Sequence, residues 1–272
     1  GDGTFRDASL GHGFGYEENG MGACSWDLQG RGVPSDTFVT AIHARHKTAA
    51  NGKRRIPNTG YGLRGNELYL ARDKWRSPAA MQSFMQSRGV QFPGMEEKLT
   101  GALLEGPWTM LANATDTVGV RPTNWAWGCA FVDLGNTGVP TLLVTNGYSL
   151  PESTVDDFQD WEATENNAFC PAGASNRPAL PVSASLPAGV ADAQGLLSQT
   201  WTACEEDVGF DSSRYGRGVA VADFDGDGAL DVVVANYAAP PALLHNSAGP
   251  RDGAHWLRVH VRQGWGARYS VG

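Results

Sequence analysis

The chain is predicted to be all-β, and two observations predict it. Short β-branched runs flank a loop of alternating acids, and the pattern that carries this loop occurs three times along the chain. In the clearest copy, GVAVA at 218–222 leads into DFDGDGALD at 223–231, and VVVA follows at 232–235. Valine-rich runs this short suit buried strands, so the loop joins two of them.

Within that loop Asp223, Asp225, Asp227 and Asp231 stand at positions 1, 3, 5 and 9. Alternate residues of a tight turn aim their carboxylates at one centre, and Ca²⁺ takes about six to eight oxygens at about 2.3–2.6 Å. The expected ligands are these four side chains and the carbonyl of Ala229. Gly226 and Gly228 supply backbone that turns with positive φ, which residues bearing a Cβ enter only at a cost. Two like charges ~4 Å apart repel by about 4 kcal/mol at an effective dielectric near 20, so four converging carboxylates call for a cation. An EF-hand would need Glu at position 12, where this chain has Val234. The competing interpretation is a plain Asp-Gly hairpin turn with solvated acids.

Two weaker copies emerge on aligning the glycine five residues before the first aspartate. Gly22 precedes Asp27, Gly128 precedes Asp133, and Gly218 precedes Asp223. The runs that follow are DLQGRGVPSDTFVTA, DLGNTGVPTLLVTN and DFDGDGALDVVVAN. An aromatic residue recurs upstream: Phe5 and Trp201 lie 22 residues before their loop aspartates, and Trp108 lies 25 before Asp133. In the first copy Gln29 and Arg31 take ligand positions, then Ser35 or Asp36 after one extra residue. In the second, Gly135, Thr137 and Thr141 do so. An arginine opposes a cation and threonines coordinate poorly, so both are expected to be metal-free turns.

A strand, a DxDxDGxxD loop and a second strand resemble the FG-GAP or VCBS repeat, the blade unit of integrin α-subunit N-terminal β-propellers and of many secreted bacterial proteins. The resemblance implies a β-propeller over 1–249, with repeats anchored at 22–40, 128–146 and 218–236 and one calcium site. NELYLA at 66–71 resembles the outer strand of such a blade, ALLHN at 242–246 repeats it, and QGLLSQ at 194–199 is its expected counterpart in the second copy. The loops lie 106 and 90 residues apart, longer than the family's repeat, which implies insertions. GDGTF at the start resembles the close of one repeat, so Gly1 is not expected to be a natural beginning. At the other end HWLRVHVR, at 255–262, alternates as a strand does. With GARYSV at 266–271 it resembles the opening of the ASPIC/UnbV domain, which follows VCBS repeats in bacterial proteins and in cartilage acidic protein. Residues 250–272 are assigned to it.

Composition fits a secreted or otherwise extracytoplasmic protein rich in turns, with 35 Gly and 15 Pro in 272 residues. The net charge of −8 disfavours nucleic-acid binding, which needs a strong basic face. Charge is segregated: 37–66 holds six Lys or Arg and no acid, while six acids crowd 152–165, a polarity suited to docking partners. Cys170 and Cys204 bracket a Pro-, Ala- and Ser-rich stretch, 171–187, and are expected to close it as a disulfide. Cys24 and Cys129, in strands, are expected to pack as small apolar residues. Residues 77–88 are expected to form a short amphipathic helix, and no apolar run is long enough to span a membrane.

Catalytic signals are thin. There is no HExxH, GxSxG or Walker loop, and GHGFG at 11–15 lacks the strand and helix of a dinucleotide site. The leading expectation is a non-catalytic, calcium-stabilised module that binds proteins or glycans or serves as a subunit of a larger assembly. The alternative is an FG-GAP-type enzyme acting on polysaccharides or lipid anchors.

Overall fold

The computed structural model describes residue 5 and residues 20–42, 47–48, 54–55, 65–72, 110–121, 125–147, 165–172, 186–187, 190–210, 214–247 and 256–257. Three antiparallel meanders dominate. The first sheet runs β1 (Gly20–Trp26), β2 (Asp36–Ala41), β5 (Glu67–Arg72), β6 (Met110–Asn113). A small hairpin of β3 (Lys47–Thr48) and β4 (Arg54–Arg55) is inserted between its second and third strands. The four-residue helix α1 (Thr115–Val118) follows it. The second sheet runs β7 (Ala126–Val132), β8 (Thr141–Asn146), β9 (Asn167–Pro171), β10 (Trp201–Ala203), followed by the equally short α2 (Glu205–Val208). The third runs β11 (Gly216–Ala222), β12 (Asp231–Asn236), β13 (Ala242–Leu244).

Register shows that the sheets are copies of one plan. Val39 pairs with Glu67, Val144 with Asn167 and Val234 with Ala242, at the same step of each second-to-third strand ladder. In front of the third strand, the buried Asn66 and Asn166 each take the main-chain N–H that ends the second strand, from Ala41 and Asn146, at 2.9 Å. The third strand of the second sheet is therefore NAFCP, not QGLLSQ, whose residues 194–198 form turns. The upstream aromatic is corrected too. Leu111 pairs with Ala71 as Trp201 pairs with Pro171, so the counterpart of Trp201 is Leu111, 22 residues before Asp133. Trp108 and the helix expected over 77–88 lie outside the described residues, as do the acidic segment up to residue 164 and all of 250–272 except Trp256 and Leu257.

The alignment glycines are where the sheets meet. A Cβ on Gly22 would fall 2.5 Å from the Trp127 carbonyl oxygen and 3.4 Å from the Gly128 Cα, and a Cβ on Gly128 would fall 3.1 Å from the Gly218 Cα. The first strands β1, β7 and β11 thus lie backbone against backbone, an approach that only glycine permits.

Strand alternation sorts the core into two layers. Leu142 and Val144 of β8 face the first sheet's Phe38, Leu68 and Leu70, joined by Phe131, Phe169 and Trp201. Leu143 points the other way, with Val132, Ala168, Cys170, Cys204 and Phe210, against Val232 and Val234 of β12. Phe131 meets Trp201 edge-on with ring centres 6.2 Å apart. Cys170 and Cys204 are joined as a disulfide in this second layer, with Cα atoms 5.9 Å apart. Cys24 and Cys129 are free thiols packed on the first layer. Burial, with Cys129 alongside, pushes the Cys24 thiol far above its ordinary value, which leaves it protonated and inert.

Candidate metal centre

Each sheet turns from its first to its second strand through an aspartate-led loop, and the leading aspartate organises the turn. Asp27 accepts the N–H groups of Arg31 at 2.8 Å and Gly32, and Asp133 those of Thr137 at 2.9 Å and Gly138 at 2.6 Å. Asp223 accepts those of Gly226 at 2.7 Å and Gly228 at 3.2 Å. The glycine five residues on has positive φ in all three: 80° at Gly32, 81° at Gly138, 91° at Gly228.

The third loop gathers acid. Asp223, Asp225 and Asp227 each offer a carboxylate oxygen, and the three oxygens lie within 4.8 Å of one another. Two oxygens bound to one Ca²⁺ are separated by at most about 5 Å, twice the metal–oxygen distance, so the cluster fits one coordination sphere. Loop amides hold two of these carboxylates in place: Asp227 donates its N–H to Asp225 at 3.1 Å, and Ala229 donates to Asp227 at 2.8 Å. Donor chemistry and spacing both fit a hard cation.

Asp231 sits apart from this cluster, 2% exposed at the start of β12. Its Oδ1 accepts the N–H of Asn246 at 2.8 Å, and its Oδ2 accepts that of Phe224 at 3.1 Å. His245 Nδ1 lies 3.1 Å from Asp231 and 3.6 Å from Asp225. The Asn246 N–H, with those of Phe224 and His245, holds the Asp231 carboxyl below its ordinary value. His245 and Asn246 follow β13, and sequence reasoning assigned them no role. The signal lies in the sequence, since ALLHN at 242–246 repeats NELYLA.

The first loop builds its interior differently. Gln29, fully buried, donates from Nε2 to Asp36 Oδ1 at 2.6 Å and to the Ala71 carbonyl at 2.6 Å, and Arg31 Nε donates to Gln29 Oε1 at 3.1 Å. An amide and a guanidinium thus stand at the positions where the third loop has Asp225 and Asp227. In the second loop Asn136 reaches across and donates to the Gly228 carbonyl at 2.9 Å, tying the second and third loops together. Between the second and third sheets a cavity of about 780 Å³ opens beside these loops, lined among others by Leu134, Pro140, Phe210, Leu244, Asp207 and His245.

Among the described residues no helix is long and apolar enough to cross a membrane. No curated protein matches the chain. Residues 215–254, which hold β11, the acidic loop, β12 and β13, match the family model of the FG-GAP repeat.

Proposed function

We propose that the three sheets are blades of a β-propeller spanning 1–249, stabilised by one Ca²⁺, that acts outside the cytoplasm as a protein- or glycan-binding module or a subunit of a larger assembly. The observation that carries this reading is the convergence of Asp223, Asp225 and Asp227 within a matched FG-GAP repeat. Such repeats bind calcium and build protein-binding propellers. The calcium ligands are those three carboxylates with the Ala229 carbonyl and Asp231. Asp231 Oδ1 meets both the Asn246 N–H and His245 Nδ1, whereas Oδ2 accepts the Phe224 N–H and keeps a second lone pair, so Asp231 is able to coordinate through Oδ2. Radial arrangement of the blades is supported by the glycine contacts that bring β1, β7 and β11 side by side. An oxidising compartment is supported by the Cys170–Cys204 disulfide.

Titration calorimetry is the test. The chain is expected to bind a single calcium, and Asp225→Ala to abolish it. Unchanged binding by Asp225→Ala overturns the site. Hydrolysis of a polysaccharide or lipid-anchored substrate that chelation removes without altering the melting temperature transfers the reading to the enzyme class.

A further inference from the structure

Gly32, Gly138 and Gly228 occupy one loop position in three copies, yet their surroundings differ. Among the described residues, a Cβ at Gly32 or Gly138 would meet nothing within 4 Å. At Gly228 it would fall 2.0 Å from Nε1, 2.2 Å from Cε2 and 2.3 Å from Cδ1 of Trp256. The indole of Trp256, itself 45% exposed, therefore lies directly on the Gly228 backbone. Among the described residues, the loop so covered is the acidic one. Gly228 stands between Asp227 and Ala229, two of the proposed ligands, and its carbonyl is already held by Asn136.

Resting on the calcium reading above, we propose that Trp256 is part of the calcium centre, supplied from outside the loop: its indole covers Gly228 and holds the loop in its metal-binding shape. Glycine has the widest conformational freedom of any residue, and a loop with Gly226 and Gly228 at positive φ loses more of it on ordering than one built of other residues. An indole packed on Gly228 removes part of that freedom before the ion arrives, so less remains to be lost on binding. Linkage makes the effect mutual: whatever the seated indole adds to calcium affinity, bound calcium adds to the seating of the indole. Among the described residues nothing covers Gly32 or Gly138, in loops that also lack the acids to use a cover.

The experiment uses the full chain with Ca²⁺ as the probe. Calorimetry on wild type, Trp256→Ala and Trp256→Phe is expected to show one site in each, weakened about fivefold in the alanine variant and less in the phenylalanine variant. Because the chain has nine tryptophans, the Trp256 signal is taken as wild-type fluorescence minus that of Trp256→Phe. That difference is expected to change as calcium is added. An unchanged Kd in Trp256→Ala, or a difference signal indifferent to calcium, overturns the proposal while leaving the metal site standing. Absence of binding heat in the wild type removes the calcium reading itself, and this proposal with it. Should Trp256→Ala fail to fold, Trp256→Phe and the fluorescence difference decide alone.

Discussion

Asp36 and Asp231 occupy the same post in the first and third sheets and make the same two main-chain contacts. Each accepts the N–H of the residue after the leading loop aspartate, Leu28 or Phe224, and one from the third-strand side, Ala71 or Asn246. Their proton affinities nevertheless diverge. Burial raises the Asp36 carboxyl above its ordinary 3.8, outweighing the N–H groups of Ala71, Gln29 and Leu28, whereas the Asn246 N–H leads in lowering Asp231.

Opposite shifts give opposite pH signatures. The contribution of Asp231 to stability is present above 3.8 and is lost as pH falls through its lowered folded value. That of Asp36 is fullest below 3.8 and is lost as pH rises through its raised folded value. In chelator, the deficit of Asp231→Asn relative to wild type is expected to shrink between neutral pH and about pH 3, and that of Asp36→Asn to widen. Urea unfolding across that range measures both, and parallel pH profiles for the two variants refute the assignment.

Calcium is expected to act on stability. A ligand that binds only the folded state adds RT ln(1 + [L]/Kd), about 2.7 kcal/mol at a hundredfold excess over Kd. Chelation should therefore lower the melting temperature and make residues 223–236 sensitive to protease, because the loop sets the register of β11 on β12. Calorimetric melts with and without chelator, paired with mapped proteolysis, check this. An unshifted melt contradicts it.

The glycine contact between β1 and β7 predicts a sharp local contrast. Gly20→Ala places its Cβ 3.6 Å from Val39, an ordinary contact, and should change stability by less than about 0.5 kcal/mol. Gly22→Ala, two residues on, drives a Cβ into the Trp127 carbonyl and should cost about 3 kcal/mol, at the upper end for overpacking. Denaturant melts of the two variants, equal within error, would falsify the close approach of the first strands.

The disulfide has an internal replacement. Ladder register puts Cys170 where the first sheet has Leu70, and Cys204 where it has Ala114: the N–H of Ala114 donates to Leu68, as that of Cys204 donates to Ala168. Losing the bridge should cost roughly 2–5 kcal/mol in Cys170→Ala. The double variant Cys170→Leu, Cys204→Ala copies the first sheet's packing and should recover part of that loss. Thermal melts of both variants test this ranking. Mass spectrometry of unreduced protein should find Cys24 and Cys129 alkylated only after denaturation.

Much of this plan was legible in the chain. Strands around Asp223–Asp231, NELYLA and ALLHN could be read because alternation and repetition report on local backbone, and the glycine at minus five because close approach admits nothing larger. The third strand of the second sheet was missed because its mark is the buried Asn166, a single residue whose hydrogen bond to Asn146 appears only once β8 and β9 are paired. The recurring aromatic points to Trp108, but the position opposite Ala71 asks for an apolar residue and not for a ring, and Leu111 fills it. His245 and Trp256 lie 14 and 25 residues beyond Asp231 and reach the loop only through the fold.

The guanidinium of Arg31 and the amide of Gln29 are bonded into the chain, and no dilution of the surroundings can remove them. Under the proposed calcium binding, the third loop instead takes its positive charge from solution. That proposal gives the molecule a direction: its first sheet is expected to keep its turn in any medium, and its third to answer to the calcium around it. Where the ion is scarce, order should be lost from the third sheet first, with β1 and β2 among the last strands to part.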